Sequence, residues 1–486
     1  MKKLILRLFC LLLCLGMLSC SFLSCRKEEA NDEPASTSEE VKTEASSEEP
    51  TETKKTEAEL PEVNYGGYDF QILVRPAEAC KNDITVAEYT SGAVEKEVYT
   101  RTQYLKDTFG VNLVLNESSN ANSETDAMKP IQSGECSYDL IACHGRSAGA
   151  YAVNNTAYDW NKLKWVDLSC DWWTQDAVNA YTVEGSVYFM VGDLSYMKEG
   201  QTICMYFNKG VLTEAGIEYP YQLALDGKWT LEVMKQTALE AYAGMEKTGT
   251  GLLADDSFAY TTGWWRGPMQ LLYSTGHKVV TGNSASEFTL DLYNETTIQA
   301  YEDYLDKFLF AGSCNTEKPA DYNAMQQAFK ENRVAFYDDL MQEAYKFDDV
   351  DFGILPWPKY SEDVEGYPAT LGSYSNFFVI PKTVSDADCV SVVLEAMSFY
   401  GHKNIISVYF DEVLSYKYSP DPESVEILNL IKNSRMYDFG GPYDFGGISN
   451  MGKLLFEAGT AASMTTIYNS LSGVATETFK DWSNVK

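Results

Sequence analysis

Trp264, Trp265 and Arg266 stand together just before Gly267 and Pro268, at the entrance to an apolar stretch from Met269 to Tyr273. Two adjacent tryptophans do not readily bury together at a helix entrance, and an exposed indole offers a flat apolar face on which the C–H face of a sugar ring stacks. Core packing is the other reading of the pair, as it is for Trp172 and Trp173. Arg146, Asp193, Tyr337, Asp338, Asp339 and Tyr374 are polar groups at expected strand ends or crossovers. Carboxylates accept from hydroxyls and arginine donates to them, a set that suits an uncharged polyol; a lone arginine equally suits an acidic ligand. Solvated loop positions are the alternative for each residue. Covalent chemistry finds less support. His144, His277 and His402 are isolated, and neither a zinc-type His-Glu-x-x-His, a phosphate loop nor a Gly-x-Ser-x-Gly elbow occurs in the sequence. A glycoside hydrolase, the rival class, needs two carboxyls facing each other across about 5 to 9 Å. The adjacent Asp338 and Asp339 would instead diverge on a strand. The sequence therefore points to no enzyme, no cofactor and no metal.

Where these residues work follows from the chain's beginning. Residues 1–24 open with Lys2, Lys3 and Arg7 and continue almost entirely apolar, the profile of an export signal. An uncleaved membrane anchor is the alternative, since about twenty apolar residues suffice to span a bilayer. Residues 25–60 are Glu, Ser, Thr, Ala and Lys with scattered Pro, too polar to offset chain entropy, and read as a disordered acidic tether. The remainder is globular in composition and holds all nine tryptophans. A formal net charge of -33, spread along the chain, argues against nucleic acid as a partner, because phosphate binding needs a basic footprint. Seven cysteines follow the signal without paired spacing and read as small buried hydrophobes.

Alternation of Phe70, Ile72 and Val74 predicts a strand, and Val94, Val98, Leu105 and Phe109 at helical spacing predict a helix stopped by Gly110, with Glu97 and Arg101 paired one turn apart. Strands at 111–115 and 138–143, with a short helix around 127–132, complete a strand-helix alternation that calls for a mainly parallel sheet. Ligands on such sheets bind beyond the carboxyl ends of strands. Between 187 and 217 two apolar runs read as neighbouring strands where the chain leaves a first lobe and enters a second. Further on come a helix capped by Thr230, an amphipathic helix from Ile298 to Phe308, a strand 333–339, a proline-broken strand 352–359 suited to an edge or a crossover, a strand 377–381 and a helix 386–400 stopped by Gly401. Residues 420–486 read mostly helical, with Gly-Gly turns at Gly440 and Gly446.

The order of Tyr138-Asp139-Leu140-Ile141, Val191-Gly192-Asp193-Leu194-Ser195, Tyr206-Phe207-Asn208-Lys209, Gly227-Lys228-Trp229-Thr230, Phe352 to Lys359 and Phe378-Val379-Ile380-Pro381 resembles the family 1 extracellular solute-binding proteins of bacterial ABC importers, the group that includes maltose-binding protein. The resemblance implies an α/β, two-lobed periplasmic-binding-protein-like (type II) fold with hinge crossovers and a helical C-terminal region. Lobe 1 would comprise 61–169 plus 367–401, lobe 2 170–366, and the helical residues 402–486 would pack across both. Cys25, or alternatively Cys20, would be the lipidated cysteine of a lipoprotein signal, holding the protein on the outer face of the cell membrane. By the same resemblance His144 and Arg146 lie in a ligand-touching loop after the third strand, Asp193 is the acid of the first crossover, Tyr337, Asp338 and Asp339 form a ligand-facing strand end, and Tyr374 sits on the return crossover. The implied function is capture of a small solute, expected to be a carbohydrate, by a monomer that delivers it to an ABC permease.

Overall fold

The computed structural model describes residues 55–88, 92–119, 124–284, 286–317, 320–347, 349–410 and 422–481. The export signal, Cys20, Cys25 and most of the tether lie outside the described residues, and no described helix is long and apolar enough to cross a membrane.

Two separate sheets organise the rest. The first takes β1 (Tyr68–Val74), β2 (Val111–Glu117), β3 (Leu140–Cys143) and, much later, β9 (Phe377–Val379), in the order β9-β3-β1-β2. β1 runs parallel to β2 and β3, while β9 returns antiparallel with Phe377 opposite Cys143. Helix Ala93–Phe109 packs on β2 of this sheet, and helix Ala387–Tyr400 packs against that helix. The second sheet contains β4 (Ile203–Asn208), β5 (Phe258–Thr261), β6 (Cys314–Asn315), β7 (Val334–Leu340) and β8 (Phe352–Pro356), ordered β8-β4-β7-β5-β6. Proline-ended β8 lies at its edge, where a missing N–H breaks no ladder. Helix Leu231–Gly244 covers β5 and β7, and Thr230 caps it by accepting from Val233 N at 3.3 Å.

Two crossovers, 191–202 and 371–376, link the sheets and run side by side. Met190 pairs with Phe378 at one end and Thr202 with Leu371 at the other. Buried Asp83 ties them together: it accepts from Ser195 Oγ (2.6 Å) and Tyr196 N (2.8 Å) on the outgoing segment and from Asn376 Nδ2 (2.8 Å) on the return.

Three local expectations need correction. The run 187–191 is not a strand beside β4: its one ladder contact is with Phe378 in the first sheet, and a short helix, Met197–Gly200, separates it from β4. Arg101 does not pair with Glu97; it is buried and donates to the carbonyls of Leu194 (2.7 Å), Asp83 (2.8 Å) and Ile84 (3.0 Å). Gly401 does not stop its helix, which continues as a π-helical turn, Gly401–Ile405. A Cβ at Gly401 would lie 1.7 Å from the Asp193 carbonyl oxygen, so close approach to the crossover is what demands glycine there.

The C-terminal segment threads between the sheets. Gly440–Tyr443 lies against helix Gly145–Val153 beside the first sheet, and Met451–Ala458 against helix Gly267–Ser274 beside the second.

Candidate functional site

A cavity of about 430 Å³ opens between the two sheets, of a size ordinary for small-ligand pockets. From the first-sheet side come His144 and Arg146, where β3 turns into helix Gly145–Val153, and the segment Ser373 to Phe377 of the return crossover. The second-sheet side contributes Ile203 and Leu340 at the ends of β4 and β7, and Trp264, Trp265, Met269 and Tyr273 around the start of helix Gly267–Ser274. Met436, Asp438, Pro442 and Ser449 of the C-terminal segment close one wall.

Its chemistry is aromatic with a few fixed polar groups. Trp264 and Trp265 are each half-buried, and each carries a cation over one ring face: Lys453 Nζ lies 4.6 Å from the Trp264 ring, and the Arg266 guanidinium 4.7 Å from the Trp265 ring. Trp265 also meets the Tyr322 ring edge-on at 5.9 Å. His144 accepts from Arg146 N at Nδ1 (3.3 Å), capping its helix. Burial, reinforced by the positive charges of Arg75 and Arg146, pushes its pKa down to about 4. The ring is therefore neutral near pH 7, and with Nδ1 accepting, its proton resides on Nε2. Arg146 donates from Nη2 to Asn450 Oδ1 at 2.6 Å. Asp438, 5% exposed, accepts from Tyr273 Oη (3.0 Å), Val279 N (2.9 Å) and Gly440 N (2.9 Å); burial raises its pKa above the usual carboxylate range.

Gln201 is the anomaly. It sits at the end of the outgoing crossover, where its own carbonyl accepts from Gly372 N at 2.8 Å. Its side chain lines the cavity, is 0% exposed, and neither Oε1 nor Nε2 meets a hydrogen-bond partner among the described residues. Leaving a buried amide unpaired costs on the order of 1–3 kcal/mol per group, so such a group in a cavity wall awaits a donor and an acceptor from elsewhere. Gly372 makes room for it, since a Cβ there would fall 2.9 Å from Gln201 Oε1.

Of the residues singled out from the sequence, His144, Arg146, Trp264, Trp265 and Tyr374 line this cavity. Four do not. Tyr337, Asp338 and Asp339 are 0–1% exposed inside the second lobe, because β7 is covered on both faces and its polar end is held by side chains of that lobe, Asp338 Oδ1 alone lacking a partner among the described residues. Asp338 Oδ2 accepts from Tyr260 Oη (2.6 Å), Thr262 Oγ1 (3.0 Å) and Trp357 Nε1 (3.2 Å), and burial lifts its pKa to about 6. On the other face, Arg266 bridges Tyr337 Oη (2.7 Å) and Asp339 Oδ2 (2.7 Å). Asp193 lies on the far side of its crossover, held by Lys198 Nζ (2.9 Å) and His402 Nδ1 (2.6 Å) beside a different cavity. Trp172 and Trp173 are packing residues, both donating their indole N–H to Glu395. Gln201 and the 436–449 wall escaped the sequence reading: Gln201 stands in a polar break without pattern, and the tandem Asp-Phe-Gly-Gly at 438–441 and 444–447 was visible only as turns.

No family model matches the chain, and no curated protein matches its sequence. Solved structures do match. The sugar-binding protein MalE from the phytopathogen Xanthomonas citri aligns with a TM-score of 0.58 and 11% identity, covering 86% of this chain and 98% of that one. The cyclic alpha-maltosyl-1,6-maltose binding protein from Arthrobacter globiformis aligns at 0.56 and 12%, covering 86% and 100%. UgpB from Mycobacterium tuberculosis, solved in complex with glycerophosphocholine, aligns at 0.54 and 16%, covering 84% and 98%. The chain thus has the two-lobed α/β type II fold of these binding proteins.

Proposed function

We propose that this protein is an extracytoplasmic solute-binding protein that captures a small solute, a carbohydrate, in the cavity between its lobes and passes it to an ABC permease. The observation that carries this reading is the Gln201 carboxamide, buried without partners in the wall of an aromatic-lined cavity. A hydroxyl-bearing ligand supplies both missing partners, an indole face takes its C–H surface, and the neutral His144 offers a donor. What the solved relatives are named for binding, sugars in two cases and glycerophosphocholine in the third, supports a hydroxyl-rich solute. The paired crossovers supply a hinge about which such lobes close on a ligand. Lipidation at Cys25, or at Cys20, would hold the protein at the membrane's outer face.

Binding rather than hydrolysis is favoured because Asp438 is the sole carboxylate among the described residues lining the cavity, and three protein donors already occupy it. A glycosidase needs a facing pair. Titration of the purified protein with a panel of mono- and oligosaccharides, following tryptophan fluorescence and product formation together, tests the reading. A saturable response with the sugar recovered intact supports it; released product would replace it with a hydrolase, and silence across the panel would remove the carbohydrate.

A further inference from the structure

One corner of the cavity holds more positive charge than the protein neutralises. Arg146 lines it, and no carboxylate among the described residues pairs with its guanidinium; the Asn450 contact orients one nitrogen and leaves the rest of the fork free. Behind it Arg75 is 1% exposed, donates from Nη2 to Tyr374 O (2.6 Å) and Asn376 Oδ1 (2.9 Å), and keeps Nε and Nη1 buried without partners. Asp83 reaches Arg75 only through Asn376, and its carboxylate also lies in the field of Arg101. Two buried guanidiniums thus share one carboxylate, and Arg146 has a carboxylate, Asp444, only through Asn450, whose Nδ2 donates to Asp444 Oδ1 at 3.2 Å. In a chain of net charge -33, a cationic pocket corner is not a by-product of composition. The depressed pKa of His144 registers the same field, since Arg75 and Arg146 both push it down.

The aromatic groups agree on sign. Trp264, Trp265 and Tyr374 each already have a protein cation over one face, the last being Arg75 at 4.5 Å. Rings so occupied make a poor cage for a cationic ligand. Asp438, the one carboxylate among the described lining residues, is buried and already takes three protein donors, so it leaves Arg146 as the charged group open to a ligand anion.

We propose that the Arg146 corner holds an anionic group of the captured sugar, with Arg146 as the fork that contacts its oxygens and Arg75 as a positioning charge behind it. The inference rests on the carbohydrate reading above and narrows it to acidic sugars. A planar carboxylate and a sulfate or phosphate ester both match the fork.

The test is calorimetric titration of the full chain with matched sets: galactose, galacturonate and galactose 6-sulfate, and the corresponding glucose series. In the wild type an acidic member should bind about ten-fold or more tighter than its neutral parent, a charge-assisted contact's worth, and the advantage should shrink with added salt. Arg146→Gln should reduce the advantage below about three-fold, and Arg146→Lys, which keeps charge but not the fork, should retain part of it. Whichever acidic member gains distinguishes a carboxylate from an ester. Neutral sugars binding as tightly as acidic ones, or an advantage indifferent to Arg146→Gln, would overturn the inference and leave the carbohydrate reading standing. No binding by either set would sink both.

Discussion

Gln201 and Asp338 are both buried polar side chains, yet they have opposite meanings. Asp338 Oδ2 takes three donors of the second lobe, Oδ1 has none, and the residue does not line the cavity; Gln201 lacks a partner at both ends of its amide and does line it. Gln201→Leu should therefore leave melting temperature unchanged or raised, because it removes two unsatisfied groups, while weakening ligand binding at least about ten-fold. Asp338→Asn tests the other case. Its carboxyl is raised from 3.8 to about 6, chiefly by burial, so the folded state holds the proton more tightly than the unfolded chain between those values. Stability from this group is present at low pH and lost as pH rises from about 4 to 6. The asparagine variant lacks that loss, so its unfolding free energy relative to wild type should climb across this window by roughly 1–3 kcal/mol and level off above it, as denaturant titrations at a series of pH values would read. Trp264→Ala should lower affinity and the fluorescence response with little loss of stability, whereas Trp172→Ala, which empties a core position and orphans one oxygen of Glu395, should destabilise by about 3–5 kcal/mol.

Among the elements, the two crossovers carry the account of movement. Asp83 clamps the outgoing and return segments through Ser195, Tyr196 and Asn376, so Asp83→Ala should destabilise the fold by about 3–5 kcal/mol, as loss of one member of a buried charged network does. Denaturant unfolding followed by tryptophan fluorescence checks this. The elements themselves were largely legible. Alternation in Tyr68–Val74, the Thr230 cap and the proline-broken strand are local patterns that a chain cannot hide; that the last lies at a sheet edge came from the fold. What was not legible depended on neighbours distant in sequence. Arg101 looked like a partner for Glu97, but carbonyls of Asp83, Ile84 and Leu194 claim it; Gly401 looked like a helix stop, but a crossover carbonyl presses against it. The polar end of β7 looked exposed because nothing in Tyr337-Asp338-Asp339 announces that Arg266, Tyr260 and Trp357 await it.

As a whole molecule, the protein places two sheets on either side of a cavity and threads its C-terminal segment into the wall between them. The sequence conveyed the two-lobed class through the order of its segments, but not that residues 436–449 would help bound the cavity, since that contact joins positions hundreds apart in the chain. Lobe closure on a ligand should reduce the radius of gyration in solution scattering, with no change in mass for a monomer. Capture of a solute requires that the cavity be its site. Calorimetry of wild-type protein and Gln201→Leu against the sugar panel decides this: one-to-one binding by the wild type, weakened about ten-fold or more by the substitution, is the predicted result. Equal affinity in both proteins would contradict it.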